Sequence, residues 1–254
     1  MAPLAPSARK PGRPRKAAAP AEPTLNRERI VDAALALIDR DGIAAFNMRE
    51  LARALGVYPA ALYWHVPGRT ALLSAVVARV LGGAVLGSSH AGGPWQGRLR
   101  TVLVGFRAAL RRHPALAPVV ANELTGNASF DAAMLDLIVA ALEDAGFAGA
   151  GLVQAYNVVI AAMCGFATLE LSASPPDEGA SWEAACRARI AEVAADAAHP
   201  ALRRHLARLS NQAFILRWTG GADKPMDRSF DAWVDVVLRG LEARAQAGGT
   251  AGRT

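Results

Sequence analysis

From Asn26 onward, apolar residues recur at the spacing of one helix face. Ile30, Ala34, Leu37 and Ile38 form a stripe, Asn26 stands at an N-cap position, and Gly42 closes the segment. In "FNMRELARALG", residues 46–56, Asn47 is followed three positions later by Glu50. That is the capping-box spacing, with Leu51 and Leu55 turned inward and Gly56 supplying a tight turn. Pro59 opens a third, short helix that ends near Val66, and Pro67 and Gly68 break it before a fourth helix from Thr70 to about Leu81. The period stays helical beyond residue 90. It predicts helices over Trp95–His113 (stopped by Pro114), Phe130–Ala145, Leu152–Leu171, Ala201 to about Trp218, and Phe230 to about Ala243. "ASPPDEG", Ala173–Gly179, reads as a proline-rich loop or an excursion between helices. The Gly82–Gly83 pair predicts an early end or a kink in the fourth helix.

Within this pattern "ALYWHV", residues 61–66, is unusual. Successive helical residues are rotated by about 100°, so no single buried face takes Tyr63, Trp64 and His65 together. Leu62 and Val66, four apart, share a core face. A short helix, a glycine turn and a second short helix is the spacing of a helix-turn-helix unit, whose second helix enters the major groove. Placed there, Tyr63, Trp64 and His65 project toward the groove and its phosphates, with a hydroxyl, an indole N–H and an imidazole available to donate. A buried aromatic cluster would account for the three rings taken alone. The capping box, Gly56 and a basic arm alongside favour DNA.

Charge supports that direction. The chain of 254 residues carries a net charge of +6, and most of the excess lies before residue 70. Residues 1–24 are Ala, Pro, Lys and Arg with almost no large apolar groups, the composition of a disordered basic arm. Inside it "KPGRPRK" resembles an AT-hook core. It is open to two readings: minor-groove insertion of arginine, or a solvated tail with general phosphate attraction. Cys164 and Cys186 have no CxxC spacing and read as reduced thiols. The N-terminus lacks the apolar stretch of a signal peptide. The longest apolar run, Val158–Ala167, is shorter than the roughly 20 residues a bilayer requires. The expectation is a cytoplasmic, nucleoid-associated protein without a membrane partner.

Residues 25 to about 77, and above all "RELARALGV" and "ALYWHVPGRTALL", resemble the head of the TetR family of bacterial transcriptional repressors. The resemblance implies an all-α protein. An N-terminal three-helix helix-turn-helix head would be joined to a larger helical bundle that binds a small effector and forms a homodimer on an inverted-repeat operator of double-stranded DNA. The corresponding division is an arm at 1–24, a head at 25–85, a body at 90–245 and a flexible tail at 246–254. Carried over by position, Arg49 reaches DNA from the start of the second helix, Tyr63, Trp64 and His65 stand on the reading helix, and Arg69 contacts backbone just after it. Tyr58 stands where many relatives have a small capping residue. Ala60 and Ala61 offer thymine methyls an apolar surface but no donor. Tetracycline-binding members present a histidine from the helix after the head, and the matching stretch Val80–Val85 contains no side-chain donor. A mainly hydrophobic effector that needs no metal is therefore expected.

The body is less specific. The stripe Phe230, Trp233, Val234, Val237, Leu238 and Leu241 suits buried core or dimer seam equally, and the family resemblance favours a seam with residues 152–171. Candidate effector-lining residues are Phe106, Asn122, Met134, Tyr156, Asn157, Met163 and Phe166, with Gln154 and Thr168 as further polar groups. Helix packing with local hydrogen bonds is the plainer account of each polar one. No GxSxG, P-loop or HExxH occurs, "GFAGAG" follows a helix and not a strand, and His199 and His205 are six apart, off the i, i+4 ligand face. The expectation is no enzyme, no cofactor and no metal site. The reading is a ligand-responsive regulator, with an architectural DNA-binding protein free of ligand control as the alternative.

Overall fold

The computed structural model describes residues 24–86, 93–120, 132–171, 179–217 and 226–251. The arm up to residue 23, Asn122, Phe130, most of "ASPPDEG" and Trp218 lie outside the described residues, as do residues 252–254. Among the described residues all regular structure is helical.

The head assembles from local signals. In α1, Arg27–Asp41, Asn26 accepts the Arg29 N–H at 2.8 Å. Ile30, Val31, Ala34, Leu37 and Ile38 are buried, and Gly42 stops the helix at φ 80°. In α2, Met48–Leu55, the Asn47 side chain accepts from the Arg49 and Glu50 N–H groups at 3.1 and 3.0 Å. Glu50 pairs with Arg53, one turn on. Gly56 takes the left-handed conformation, φ 68°, and Val57 N–H returns to the Ala52 carbonyl at 3.0 Å. α3, Pro59–Tyr63, is shorter than the sequence predicts. The Leu62 carbonyl accepts from both His65 and Val66 N–H in the turn that follows.

α4, Arg69–Leu86, runs through Gly82 and Gly83 without ending, contrary to the sequence expectation. Burial of Leu72, Leu73, Val76, Val77, Val80 and Leu81 against α1 and α5 outweighs the roughly 1 kcal/mol that each helical glycine costs. α5, Trp95–Arg112, is the hub, packing on α4, on α6 (Ala132–Asp144), on α7 (Gly149–Glu170) and on α10 (Asp227–Ala251). α10 continues to Ala251, so residues 246–251 are helix and not tail. One continuous apolar core runs from Ile30 in α1 to Leu241 in α10. A 3-10 turn, Pro114–Leu116, rests against α1, and His113 beside it contacts Asp39 at 2.8 Å, joining head to body.

Two further departures concern residues 179–217. A helix missed in the sequence, α8 (Gly179–Ala195), packs with α9 (Pro200–Leu209). Its Trp182, Cys186, Ile190 and Val193 are only half-buried. The helix expected to reach Trp218 ends at Leu209. Asn211, buried and at φ 56°, then turns the chain, and Phe214 packs edge-on against Phe166 with ring centroids 5.0 Å apart.

α7 has 22 residues and is long and apolar enough to cross a bilayer by length and composition, with mean hydropathy 1.6 over its most apolar stretch. Gln154, Tyr156 and Asn157 precede its longest apolar run, Val158–Ala167, without lowering the average far. One face of α7 joins the core through Ala155, Val159, Ala162, Met163, Phe166 and Ala167. At its end Glu170 accepts from Arg107 Nε and Nη2, both at 2.6 Å, and from the Met226 N–H at 2.9 Å. Arg107 also reaches Asp227 at 2.8 Å, and Arg111 reaches the same carboxylate at 3.0 Å. The Arg107 guanidinium lies 4.5 Å from the Phe230 ring centre. This network, buried at Arg107 and Glu170 and open to water at Asp227, clamps α5, α7 and the start of α10 together.

Candidate nucleic-acid interface

The reading segment divides cleanly by exposure. Leu62 and Val66 are 0% and 1% exposed and join the core shared with α1 and α4, whereas Tyr58 and Trp64 are 86% and 89% exposed. Tyr63 is half-exposed and His65 exposed. Two core anchors four residues apart fix the orientation of a helix too short to hold itself. The residues between and after them are then driven outward. Two large aromatics, Tyr58 and Trp64, are thus left almost wholly in water beside the buried anchors.

Tyr58 occupies the N-cap of α3 without making a side-chain cap bond, so the donor groups of that first turn are not closed by this side chain. Ala60 is exposed and Ala61 half-buried. Arg49, in the first turn of α2, is exposed, and its guanidinium has no ion-pair partner among the described residues. Arg69 is the residue that the resemblance leads one to expect at the DNA backbone. It is exposed, but Nε donates to the Phe46 carbonyl at 3.5 Å and Nη2 to the Ile43 carbonyl at 3.4 Å. The guanidinium carbon sits 5.8 Å from the centre of the Phe46 ring.

Two family models together cover most of the chain. "Bacterial regulatory proteins, tetR family" matches residues 30–76, and "Tetracyclin repressor-like, C-terminal domain" matches residues 89–245, more than half of the chain by itself. The chain belongs to the TetR family. Among curated relatives, an HTH-type transcriptional regulator of Saccharopolyspora erythraea is 31% identical over 184 residues, which are 71% of this chain and 75% of the relative. The class D tetracycline repressor of Escherichia coli is 42% identical over 90 residues, 35% of this chain and 41% of the repressor. The match therefore spans about two fifths of that relative's length. Among solved structures, a TetR regulator of Streptomyces coelicolor superposes with a TM-score of 0.63 at 25% identity, covering 87% of this chain and 99% of that one. TetR family members are DNA-binding transcriptional regulators with a helix-turn-helix head and a larger helical C-terminal domain, the architecture found here.

In the TetR-type body, the residues expected to line an effector site separate into two groups. Phe106, Met134, Met163 and Phe166 are buried in the common core. Tyr156 is half-buried, and Asn157 is exposed on α7 of the single chain. Gln154 accepts from Arg244 Nη2 at 2.8 Å, and the Thr168 hydroxyl donates to the Cys164 carbonyl at 2.7 Å. The Thr168 bond is local to α7, whereas the Gln154 bond joins α7 to α10. Burial raises the Cys164 thiol to about 11, so it is neutral near pH 7.

An open cleft of about 310 Å³, not foreseen from the sequence, lies over the ionic network. Val104, Ala108, Arg111, Asp227 and Phe230 are among its walls. Desolvation works to raise the Glu170 carboxyl, but hydrogen bonds from Arg107 and the Met226 N–H, with the Arg107 and Arg111 charges, hold it below the ordinary value. Arg107 is likewise shifted up. Burial opposes its charge, and its bonds to Glu170 and Asp227 outweigh that opposition. The sequence signal that could have found this pair is a charged residue on the apolar face of each of two amphipathic helices.

Proposed function

We propose that this protein is a ligand-responsive transcriptional regulator that binds an inverted-repeat operator as a homodimer, acting as a repressor that a small molecule releases. The head comprises residues 25–85 and the body residues 90–245. The observation that carries the reading is the division of one short segment into buried anchors, Leu62 and Val66, and a water-exposed set, Tyr58, Tyr63, Trp64 and His65. Arg49 reads a base edge. The exposed set positions the head through phosphate and groove contacts, and Ala60 and Ala61 meet thymine methyls.

The homodimer forms through α7 and α10. Val153, Val158 and Leu169 on α7, and Trp233 and Val236 on α10, remain exposed on the single chain although the opposite faces of both helices are core. Trp233 donates its indole N–H to the Ala162 carbonyl at 3.3 Å, joining the two helices within one chain. Pairing this face with its counterpart buries the apolar side chains and Asn157 in a two-fold seam.

The effector is mainly hydrophobic and enters the body among Phe106, Met134, Met163 and Phe166. The two methionines supply flexible side chains that repack around a guest at low cost. The test is selection of duplexes from a random library, followed by release measurements on the selected site. An inverted repeat bound by two chains, and its release by an apolar compound that also raises the melting temperature, supports the proposal. A selected site without two-fold symmetry refutes the dimer, and absence of any enriched site refutes operator binding.

A further inference from the structure

Resting on the proposed operator binding, we infer that Arg69 is a positioning residue for base reading, and not a phosphate contact. The guanidinium stands at the first position of α4 and reaches back across the connection between α1 and α2. There it donates through Nε to the Phe46 carbonyl and through Nη2 to the Ile43 carbonyl, at 3.5 and 3.4 Å, and lies over the Phe46 ring. Those carbonyls belong to the four-residue link that delivers Asn47, the cap of α2, whose side chain in turn holds the N–H groups of Arg49 and Glu50. A single side chain on α4 thus fixes the segment immediately before the residue proposed to read a base. Phe46 is buried and anchors the link from beneath, while Arg69 bridges it from the exposed side.

The geometry also suits arginine alone. Two carbonyls three residues apart are met by two N–H groups of one rigid planar fork. A lysine ammonium is a point charge on a flexible stem and cannot hold both acceptors in that plane. A phosphate contact has the opposite tolerance, because a point charge satisfies it almost as well.

The experiment measures binding of Arg69→Lys and Arg69→Gln to the selected operator and to the same duplex with the Arg49-contacted base pair exchanged, across a salt titration. The expectation is that both variants lose affinity for the operator alike, by roughly tenfold, as for a lost hydrogen-bonded positioning group. Discrimination against the exchanged base pair should fall with it, and the salt slope should stay unchanged. A double-mutant cycle with Arg49→Ala should be strongly non-additive. Melting curves of the free proteins separate a head that fails to fold from one that binds wrongly. Full rescue by lysine, together with a slope reduced by about one in the glutamine variant, would overturn the inference in favour of a phosphate contact. So would additive losses in the cycle. If the wild-type protein selects no operator, the proposed function fails instead, and the two failures are told apart.

Discussion

Glu170→Gln replaces one carboxylate in the buried clamp with a group of the same shape and no charge. Glu170 is 1% exposed and takes two 2.6 Å bonds from Arg107, so the substitution removes the main counter-charge of a guanidinium that is itself buried. It also turns an amide N–H₂ toward a donor. Breaking one side of a buried pair costs about 3–5 kcal/mol, and the lower end, about 3 kcal/mol, applies here because Asp227 at 2.8 Å still balances Arg107. For a chain of this length the melting temperature should fall by about 6–12 °C. The assay is thermal and urea unfolding followed by circular dichroism at one fixed protein concentration, since dimerisation would make stability concentration-dependent. Replacing both Arg107 and Glu170 by leucine should recover most of the loss, because a well-packed apolar pair avoids the desolvation cost. The pH dependence has a definite sign. The folded carboxyl titrates below its ordinary value of 4.5, so its contribution is complete above that value and is lost as pH falls through the lower folded one. The wild-type protein should therefore destabilise more steeply than Glu170→Gln on acidification from pH 5. A variant within 0.5 kcal/mol of wild type with an unchanged acid limb would refute the reasoning.

Other outcomes follow from the same structure. Trp64→Ala should leave unfolding within about 0.5 kcal/mol of wild type, as for an exposed side chain, while weakening operator binding in an anisotropy titration. Leu62→Ala should cost about 2–5 kcal/mol and lose DNA binding through melting of the head, seen by calorimetry. Val158→Glu combined with Val236→Glu should shift sedimentation from dimer to monomer, with the monomer's helical content retained. Micromolar tetracycline with magnesium should fail to release the protein from its operator, because Val80–Val85 offers no side-chain donor and each unmatched buried polar group costs about 1–3 kcal/mol. Magnesium-dependent release would contradict that expectation.

The head was legible because its determinants are local. Asn26, Asn47 and Gly56 act within one turn of where they stand, and the pair Leu62 and Val66 needs only helical spacing to be recognised. What escaped depends on partners distant in sequence. Arg107 and Glu170 are 63 residues apart, and although each is a charge on an apolar helix face, their pairing emerges only when the fold brings them together. The continuation of α4 through Gly82 and Gly83 reflects burial against other helices, which propensity cannot see. α8 was hidden by its alanine content, since its few apolar residues only half-bury against α9. The stop at Leu209 was obscured because Phe214 continues an apolar pattern that it satisfies from a turn, against Phe166. For Arg69, the sequence placed it just before the fourth helix, and its bonds left no sign there, because the acceptors are backbone carbonyls that carry no sequence mark.

The most direct test of the central claim is the ratio of affinities for the selected duplex and for a scrambled duplex of equal length, measured by fluorescence anisotropy at about 150 mM salt with the stoichiometry determined by sedimentation. A specific operator-binding dimer should prefer the selected duplex by about a thousandfold or more, with two chains bound per site. Equal affinities for the two duplexes, both falling together as salt is raised, would contradict the account and leave only general attraction to phosphate.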